Sequence, residues 1–244
     1  MTSNTASPLA RPFPAIPEIG GVTRRIARAR YKTWDRCDLT FMTFDEGTSV
    51  AGVLTQSKCP SSEVDWCREH LPQGKARALV VSAGNANAFT GRRGREAVEA
   101  VTARVAKHLQ CPVETVFVSA TGVIGVPLPI HKAEAGLDAA ILSPPCSWEA
   151  AAATIMTTDT FPKGAVATAI IGEKTVTLAG IIKGSGMIAP DMATMLGYIV
   201  TDAAVEPGFL QRMISAANQE TFSCITVDSD TSTSDTVLAF ATGK

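Results

Sequence analysis

The sequence predicts an α+β fold, with helices and strands in mixed layers, for three reasons. Short apolar runs bounded by glycine, proline or asparagine alternate with stretches whose apolar residues recur every three or four positions. Such runs are typical of buried strands, and such stretches are typical of amphipathic helices. Polar loops also recur at the ends of the predicted strands, where a rigid sheet directs several side chains to one place. This recurrence favours an active site over scattered turns.

The first 110 residues are predicted to supply three strands and one helix. Residues 1 to 35 mix proline, glycine and basic residues and are expected to be extended. The turn signal Asp45-Glu46-Gly47 between two β-rich runs suggests a hairpin, and a third apolar run ends at a loop of glycine and asparagine. Valine and leucine at helical intervals then predict a helix. These elements are strands over 39 to 43, 49 to 54 and 76 to 81 and a helix over 95 to 110.

The remainder of the chain continues this alternation. A fourth strand ends at the loop 120 to 125, and alanine-rich helices lie on either side of the breaker Ser143-Pro144-Pro145. The clearest hairpin has two β-rich runs around Gly172-Glu173-Lys174. Pro207 is suited to begin the last helix, because proline is favoured at a first helical position. These elements are strands over 116 to 119, 166 to 171, 175 to 182 and 195 to 201, and helices over 134 to 141, 148 to 156 and 207 to 218.

Composition argues against several classes of function. The 244 residues are 45% hydrophobic and carry a net charge of −1, which gives no electrostatic reason to expect nucleic acid or an anionic membrane as partner. The basic cluster at 24 to 30 is expected to be a solvated face or loop. Because the chain lacks an apolar run of about 20 residues and a signal-peptide core, we expect a cytoplasmic protein.

Neither disulfides nor a metal site are expected. The six cysteines, at positions 37, 59, 67, 111, 146 and 224, are irregularly spaced, which predicts reduced and mostly buried thiols. With no CxxC pair and three scattered histidines, we expect no zinc site. Asp228, Asp230 and Asp235 alternate with serine and threonine but lack the spacing of a calcium loop, so hydrogen-bonded turns are their expected role.

The segment from Lys183 to Asp202 carries the most chemical information. A loop rich in glycine and proline passes through Ala193 and Thr194 directly into an apolar run, so a hydroxyl lies where loop becomes strand. A threonine alcohol is a poor nucleophile without a base beside it, and a chain-terminal threonine has its own α-amine, with a pKa of about 7.7–8.0. Such a terminus is made by cutting the chain. Taken alone, the segment also fits a glycine-rich turn before a core strand.

Five blocks, in order, resemble the ornithine acetyltransferase family of arginine biosynthesis, also called glutamate N-acetyltransferases. Besides the segment above they comprise an Asn-Ala-Asn loop, a Ser-Ala-Thr-Gly turn, a Thr-Thr-Asp-Thr segment and an Asp-rich segment. No single block suffices, but five in sequence are specific. The blocks lie at residues 81 to 91, 118 to 125, 155 to 163, 183 to 202 and 225 to 236.

The resemblance implies a fold similar to that of N-terminal-nucleophile enzymes, with stacked sheets and flanking helices. It also implies self-cleavage between Ala193 and Thr194. The α-chain portion would then be residues 1 to 193, and residues 194 to 244 would begin the β-chain with Thr194 as its nucleophile.

The resemblance also implies roles for residues that are distant in sequence. The side chain of Thr121 and the backbone N–H of Gly122 would form the oxyanion hole, which stabilises the negative charge of an acyl-transfer intermediate. Thr157, Lys183 and Thr194 would contact the amino-acid substrate. We expect Asn85 and Asn87 to be scaffold around the site rather than reacting groups.

The implied reaction moves an acetyl group from N2-acetyl-L-ornithine to L-glutamate through an acetyl-threonine intermediate. No cofactor is expected, and acetyl-CoA is left open as a further acetyl donor. The resemblance suggests an assembly of two α and two β chains. Family members are usually longer, so we expect this chain to be truncated and to lack downstream substrate-binding residues. Two alternatives remain open: an N-terminal-nucleophile aminopeptidase or amidase of related fold, and an inactive fragment.

Overall fold

The structure, a computed structural model, describes residues 6, 8, 10–189 and 195–244. In this described part the chain forms two β-sheets that share a core, with helices on their outer faces. The predicted α+β class, with stacked sheets and flanking helices, is confirmed. The described elements are β1 (Val22–Ala27), β2 (Leu39–Phe44), β3 (Ser49–Leu54), α1 (Ser62–His70), β4 (Ala78–Asn85), α2 (Arg92–Leu109), β5 (Val116–Val123), α3 (Ile130–Leu142), α4 (Trp148–Thr154), β6 (Lys163–Ile171), β7 (Lys174–Lys183), β8 (Leu196–Thr201), α5 (Pro207–Glu220) and β9 (Thr236–Ala241).

The first sheet has the strand order β1-β2-β4-β5. Strands β4 and β5 are parallel and are connected through α2, as parallel strands require a crossover. All eight residues of β4 are buried, which matches the continuous apolar run expected of a strand covered on both faces. Because parallel strands run in one direction, the carboxyl ends of β4 and β5 meet at one edge of this sheet.

The second sheet has the order β3-β9-β8-β7-β6. Its β6 and β7 form the predicted hairpin, which turns at Gly172 with a positive φ of 64°. At the far end of β7, Lys183 pairs in register with Leu196, the first residue of β8. The hairpin therefore places Lys183 beside the start of the strand that follows the candidate cleavage segment.

Apolar side chains fill three layers. Between the sheets, the rings of Phe44 and Phe240 stack with centroids 4.2 Å apart and join the two sheets directly. Outside the first sheet, α2 and α3 pack on β2, β4 and β5, and outside the second sheet α5 packs on β3 and β9. Each fully buried large apolar side chain contributes about 1.5–3 kcal/mol, so this layered core fixes the sheet edges that carry the site.

Two sequence predictions about the first strands were wrong. Strands β2 and β3 do not form a hairpin, because β2 belongs to the first sheet whereas β3 pairs with β9 in the second. The turn after Phe44 carries the chain from one sheet to the other, and both Phe44 and Val50 enter the shared core. The first strand was expected at 39 to 43, after an extended segment, but β1 already lies within that segment and pairs with β2. Helix α1, which we did not predict, begins after the cap Ser61.

The basic cluster and the thiols also differ in part from expectation. Arg24 is only 2% exposed, since its guanidinium lies over the Trp148 ring at 4.2 Å and pairs with Glu18 at 2.7 Å. Arg28 and Arg30 are exposed, as expected. All six cysteines are free, but only Cys67 is fully buried, so the prediction of mostly buried thiols was wrong. Among the described residues, no helix has the length and apolar character needed to cross a membrane.

Candidate active site

A cavity of about 520 Å³ lies where the carboxyl ends of β4 and β5 face the end of β7. Residues from all five sequence blocks and from the loop between β1 and β2 line it. Its described lining residues are Lys32, Trp34, Gly84, Ala86, Thr121, Gly122, Val123, Ile124, Thr157, Thr158, Lys183, Gly186, Met187, Asp228, Asp230, Ser232, Thr233 and Ser234.

Thr121 and Gly122 are adjacent residues near the carboxyl end of strand β5. Gly122 has a φ of +132°, a conformation that other residues rarely adopt. A Cβ there would lie 2.3 Å from the carbonyl carbon of Gly84 and 2.7 Å from the backbone nitrogen of Asn85. The site therefore requires glycine at position 122, because strand β4 approaches too closely for any side chain.

Lys183 is a buried cation that lines the cavity. It is 4% exposed, and its Nζ donates a hydrogen bond of 2.9 Å to the Oγ1 of Thr121. Burial lowers the pKa of Lys183, while the nearby carboxylates of Asp159 and Asp235 oppose that shift. A lysine at a strand end ordinarily lies on the surface, so its burial favours a role in the site.

Asp159 ties the Thr-Thr-Asp-Thr block to the end of β7. Its Oδ1 accepts hydrogen bonds from Lys163 Nζ and from Gly184 N, the latter at 2.8 Å, and its Oδ2 accepts one from Thr157 N at 3.3 Å. Burial raises the pKa of Asp159, but the bonds from Lys163 and Gly184 outweigh burial and leave the pKa lowered. The Asp159 carboxylate thus holds Thr157 beside Lys183.

The candidate cleavage site itself, Ala193 and Thr194, lies outside the described residues, and so does the proposed boundary between residues 193 and 194. The residue that follows Thr194, Met195, is within the described part of the chain and is hydrogen-bonded on both sides of its backbone. Met195 N donates to Asp235 Oδ1 at 2.8 Å, and Met195 O accepts from Thr236 N at 3.0 Å. Asp235 therefore fixes the first described residue after the candidate cut.

Asn85 and Asn87 of the Asn-Ala-Asn loop make hydrogen bonds to the structure around the cavity. Asn85 Oδ1 accepts from Asn87 N at 2.7 Å, and Asn85 Nδ2 donates to Val126 O at 3.0 Å. Asn87 Nδ2 donates to the buried Glu63 at 3.0 Å, and Asn87 Oδ1 accepts from Leu128 N at 3.2 Å. These bonds hold the loop after β5, which follows Thr121 and Gly122, against the end of β4.

The Asp-rich segment forms hydrogen-bonded turns rather than a calcium loop. Asp228 accepts from the backbone N–H groups of Met187 and Ile188 at 2.6 and 2.8 Å, and these bonds lower its pKa. The segment thereby closes one wall of the cavity over the loop after β7. In the described part of the chain, no group of three His, Cys, Asp or Glu residues is arranged to hold a metal ion.

Sequence reasoning missed three residues of the site. Asp159 lies within the block at residues 155 to 163, where it had no assigned role, and its spacing of four residues from Lys163 was the available signal. Lys32 and Trp34 line the cavity from the loop between β1 and β2. No periodicity or block marks this pair, because only the tertiary structure brings their loop to the ends of β4 and β5.

The chain is similar in sequence to known proteins over nearly its whole length. A sequence model of the ArgJ family matches residues 23–244. The arginine biosynthesis bifunctional protein ArgJ of Zymomonas mobilis subsp. mobilis is 62% identical over 237 residues, which are 97% of this chain and 58% of that protein. The chain therefore spans somewhat less than three fifths of the length of this curated relative.

Solved structures give the same result. The crystal structure of the arginine biosynthesis bifunctional protein ArgJ from Bacillus halodurans superposes with a TM-score of 0.63 at 31% identity, covering 72% of this chain and 92% of that one. The ornithine acetyltransferase of Mycobacterium tuberculosis, complexed with ornithine, superposes with a TM-score of 0.60 at 26% identity, covering 73% of this chain and 94% of that one.

Proposed function

The chain belongs to the ArgJ family, and from that premise we propose that it carries the acyl-transfer site of a self-cleaving glutamate N-acetyltransferase. The enzyme takes the acetyl group of N2-acetyl-L-ornithine onto Thr194 and passes it to L-glutamate. The step serves arginine biosynthesis, the process for which the relatives are named.

One observation carries the proposal. The Lys183 Nζ to Thr121 Oγ1 hydrogen bond joins two blocks 62 residues apart at a cavity that Gly122 and Thr157 also line. Lys183 in turn pairs with Leu196, two residues after Thr194. Four of the proposed site residues thus surround one cavity beside the segment that contains the fifth.

The proposed self-cleavage needs only groups of this chain and water. Thr194 Oγ attacks the carbonyl carbon of Ala193, and the peptide C–N bond breaks as an ester forms. Water hydrolyses that ester, which leaves a carboxylate on Ala193 and a free amine and hydroxyl on Thr194. The freed amine is then the base that a threonine nucleophile requires.

The acetyl transfer uses the same hydroxyl twice. Thr194 Oγ attacks the acetyl carbonyl of the donor while its own α-amine takes the proton, and collapse of the intermediate expels ornithine with that proton. The amine of glutamate then attacks the acetyl carbonyl of the acetyl-threonine ester, and the ester bond to Thr194 Oγ breaks. N-acetylglutamate leaves, and the free hydroxyl of Thr194 is restored. This is a double-displacement reaction with one covalent intermediate.

The hydrogen bond from Lys183 leaves the Thr121 hydroxyl able to donate to the oxyanion. Because its oxygen accepts from Lys183, its own proton is free to point to another acceptor. A donation from a cation also polarises the hydroxyl and strengthens it as a donor. Losing one oxyanion donor typically costs about 2.7–4 kcal/mol of barrier, so Thr121→Val is expected to lower kcat on the order of 100-fold or more.

The decisive experiment replaces Thr194 in the protein expressed from its complete gene. Thr194→Ala is expected to leave one uncut polypeptide by intact mass and no acetyl transfer, whereas Thr194→Ser retains a hydroxyl and some cleavage. Ser185→Ala, which removes an exposed hydroxyl from the same loop, is the matched control and is expected to cleave normally. Two chains from the Thr194→Ala variant would refute the assignment.

The rivals are separated by one further assay. An aminopeptidase or amidase of related fold passes the acyl group to water, so it releases ornithine from acetylornithine without glutamate. The transferase releases more than one equivalent of ornithine only when glutamate is present. An inactive fragment shows neither release nor a cut at residue 194 by intact mass.

The remaining parts of the proposal concern the donor, the assembly and the location. No cofactor takes part, and acetyl-CoA serves as a second donor if N-acetylglutamate accumulates from acetyl-CoA and glutamate alone. The cut protein is an assembly of two α and two β chains, which native mass spectrometry tests. The enzyme acts in the cytoplasm, where amino-acid substrates and reduced thiols occur.

A further inference from the structure

The loop between β1 and β2 holds Lys32 in a fixed place at the cavity. Buried Asp38 accepts hydrogen bonds from the backbone nitrogens of Ala29 at 2.6 Å and Tyr31 at 2.8 Å, and the Tyr31 hydroxyl contacts Ser82 Oγ at 3.1 Å. These contacts fasten the backbone directly before Lys32. The position of the Lys32 backbone is therefore set by the fold rather than by a freely moving loop.

The backbone after Lys32 is fastened as well. The Arg36 guanidinium donates to the carbonyl oxygens of Ala153 and Thr154, both at 3.2 Å, and stacks over the Trp34 ring at 4.1 Å. Trp34 in turn lines the cavity beside Lys32. The backbone on both sides of Lys32 is therefore ordered before a ligand binds, which lowers the entropy lost on binding.

The stem of Lys32 packs next to the proposed oxyanion hole. A Cβ on Gly84 would lie 3.0 Å from Lys32 Cγ and 3.4 Å from Trp34 Cζ3, so both side chains lie over this glycine. Gly84 is the register partner of Gly122 across the β4–β5 pair. Only one glycine therefore separates the Lys32 stem from Gly122.

The ammonium group of Lys32 is available to a ligand. It forms no hydrogen bond or ion pair with any residue in the described ranges 10–189 and 195–244. Lys183, the other cation that lines the described cavity, is committed to Thr121. Asp228, which also lines the cavity, accepts hydrogen bonds from the backbone nitrogens of Met187 and Ile188. The side chain is half-buried, so an anion bound there is partly shielded from solvent.

The proposed reaction indicates which anionic group of the substrates would bind Lys32. Both acetylornithine and glutamate carry an α-carboxylate two bonds from the nitrogen that reacts, and that nitrogen lies next to the oxyanion hole in both half-reactions. The far ends of the two side chains differ, because ornithine has an amine where glutamate has a carboxylate. A cation whose stem packs one glycine away from Gly122 therefore matches the shared group and not the side-chain termini.

We propose that Lys32 recognises the α-carboxylate common to the donor and the acceptor amino acid, with Trp34 and Gly84 holding its side chain in place. This inference rests on the proposed acetyl transfer. It makes Lys32 a residue that determines specificity for α-amino acids, and it assigns no part in the bond-breaking steps.

The test pairs a Lys32 variant with substrates that lack the carboxylate. The probes are N2-acetyl-L-ornithine and its α-carboxamide as donors, and L-glutamate and its α-amide, which retains the γ-carboxylate, as acceptors. A hydrogen bond to a charged group is worth about 1.5–3 kcal/mol, so the wild type should prefer each carboxylate about 10- to 100-fold in kcat/KM. Lys32→Met should lose most of that preference for both substrates, and Lys32→Arg should retain part of it.

Controls separate recognition from misfolding. Lys107→Met removes an exposed lysine from α2 and should keep the full preference for the carboxylates. Thermal unfolding of Lys32→Met checks that the variant is folded, and Lys32→Gln serves if it is not. An unchanged carboxylate preference in both variants overturns the inference, and so does a loss confined to glutamate.

Failure of the proposed function is visible separately. If the wild type transfers no acetyl group between amino acids, calorimetric titration with L-ornithine and L-ornithinamide measures recognition without turnover. Preferential binding of ornithine by the wild type, lost in Lys32→Met, supports the assignment even then. Equal binding of the two ligands by the wild type refutes it.

Discussion

The substitution Gly122→Ala tests the geometry on which the site depends, and Gly125→Ala is its matched control. Both glycines have positive φ angles, +132° and +82°, and both lie in the last part of β5 or the loop after it. They differ in their surroundings. A Cβ at Gly122 meets backbone atoms of Gly84 and Asn85 at 2.3–2.7 Å, whereas a Cβ at Gly125 meets nothing within 4 Å.

The expected magnitudes follow from that difference. A left-handed backbone costs an ordinary residue roughly 1–2 kcal/mol, and this cost applies to both variants. Overpacking adds about 1–3 kcal/mol, and it applies only at Gly122, where backbone rather than a flexible side chain must move. Gly122→Ala should therefore lower the free energy of unfolding by about 2–5 kcal/mol, and Gly125→Ala by about 1–2 kcal/mol. In a protein of this size, each kcal/mol corresponds to about 2–4 °C in Tm.

Urea unfolding of both variants, with acetyl transfer measured on the folded protein, provides the assay. Separation of β4 from β5 at Gly122 also displaces the proposed oxyanion donors, so kcat should fall much further in Gly122→Ala than in Gly125→Ala while KM changes little. If the two variants have the same stability and the same kcat, the close approach of the strands is not the reason for glycine at position 122.

Three further predictions concern buried carboxylates. Asp159 has a lowered pKa in the fold, so its carboxylate stabilises the fold above the unfolded pKa of about 3.9, and that stability is lost as the pH falls through the folded pKa. In urea unfolding, Asp159→Asn should therefore be less stable than the wild type at pH 6. It should also lose less free energy of unfolding than the wild type when the pH is lowered. An equal acid loss in both proteins contradicts this. Burial raises the pKa of Glu63 to about 8, so the wild type should lose up to about 1.4 kcal/mol per pH unit between about pH 4.3 and pH 8. Glu63→Gln lacks this loss, and it should be the more stable protein at pH 8 and not at pH 4. Asp235→Ala removes the acceptor of Met195 N, so the two cleavage products should accumulate on the order of tenfold more slowly by intact mass, and an unchanged rate contradicts the assigned anchoring role.

Local patterns predicted those elements whose neighbours in space are also neighbours in sequence. The hairpin of β6 and β7 was predicted because β-rich runs flank a glycine turn, and α2 because its valines recur at helical intervals. The same reasoning failed for β2 and β3. A turn signal shows that the chain reverses direction but not which sheet receives the next strand, and burial of Phe44 and Val50 between two sheets decided the pairing.

Burial of charged residues was equally beyond the reach of local patterns. Arg24 was expected in a solvated face or loop, and a lysine at a strand end is ordinarily exposed, yet both Arg24 and Lys183 are almost completely buried. Their partners are Glu18 and Trp148 for the first and Thr121 for the second. Most of these partners are distant in sequence, so no window of periodicity contains the information.

The amino-acid sequence by itself determined the fold class, the family resemblance and the chemical types of the candidate residues, because these depend on local periodicity and on short blocks of fixed spacing. Only the tertiary structure decided that Lys183 contacts Thr121, that Asp159 joins Thr157 to the end of β7, and that Lys32 lies over Gly84. The physical reason is that parallel pairing of β4 with β5 and close packing of the two sheets bring together side chains that are tens to more than a hundred residues apart.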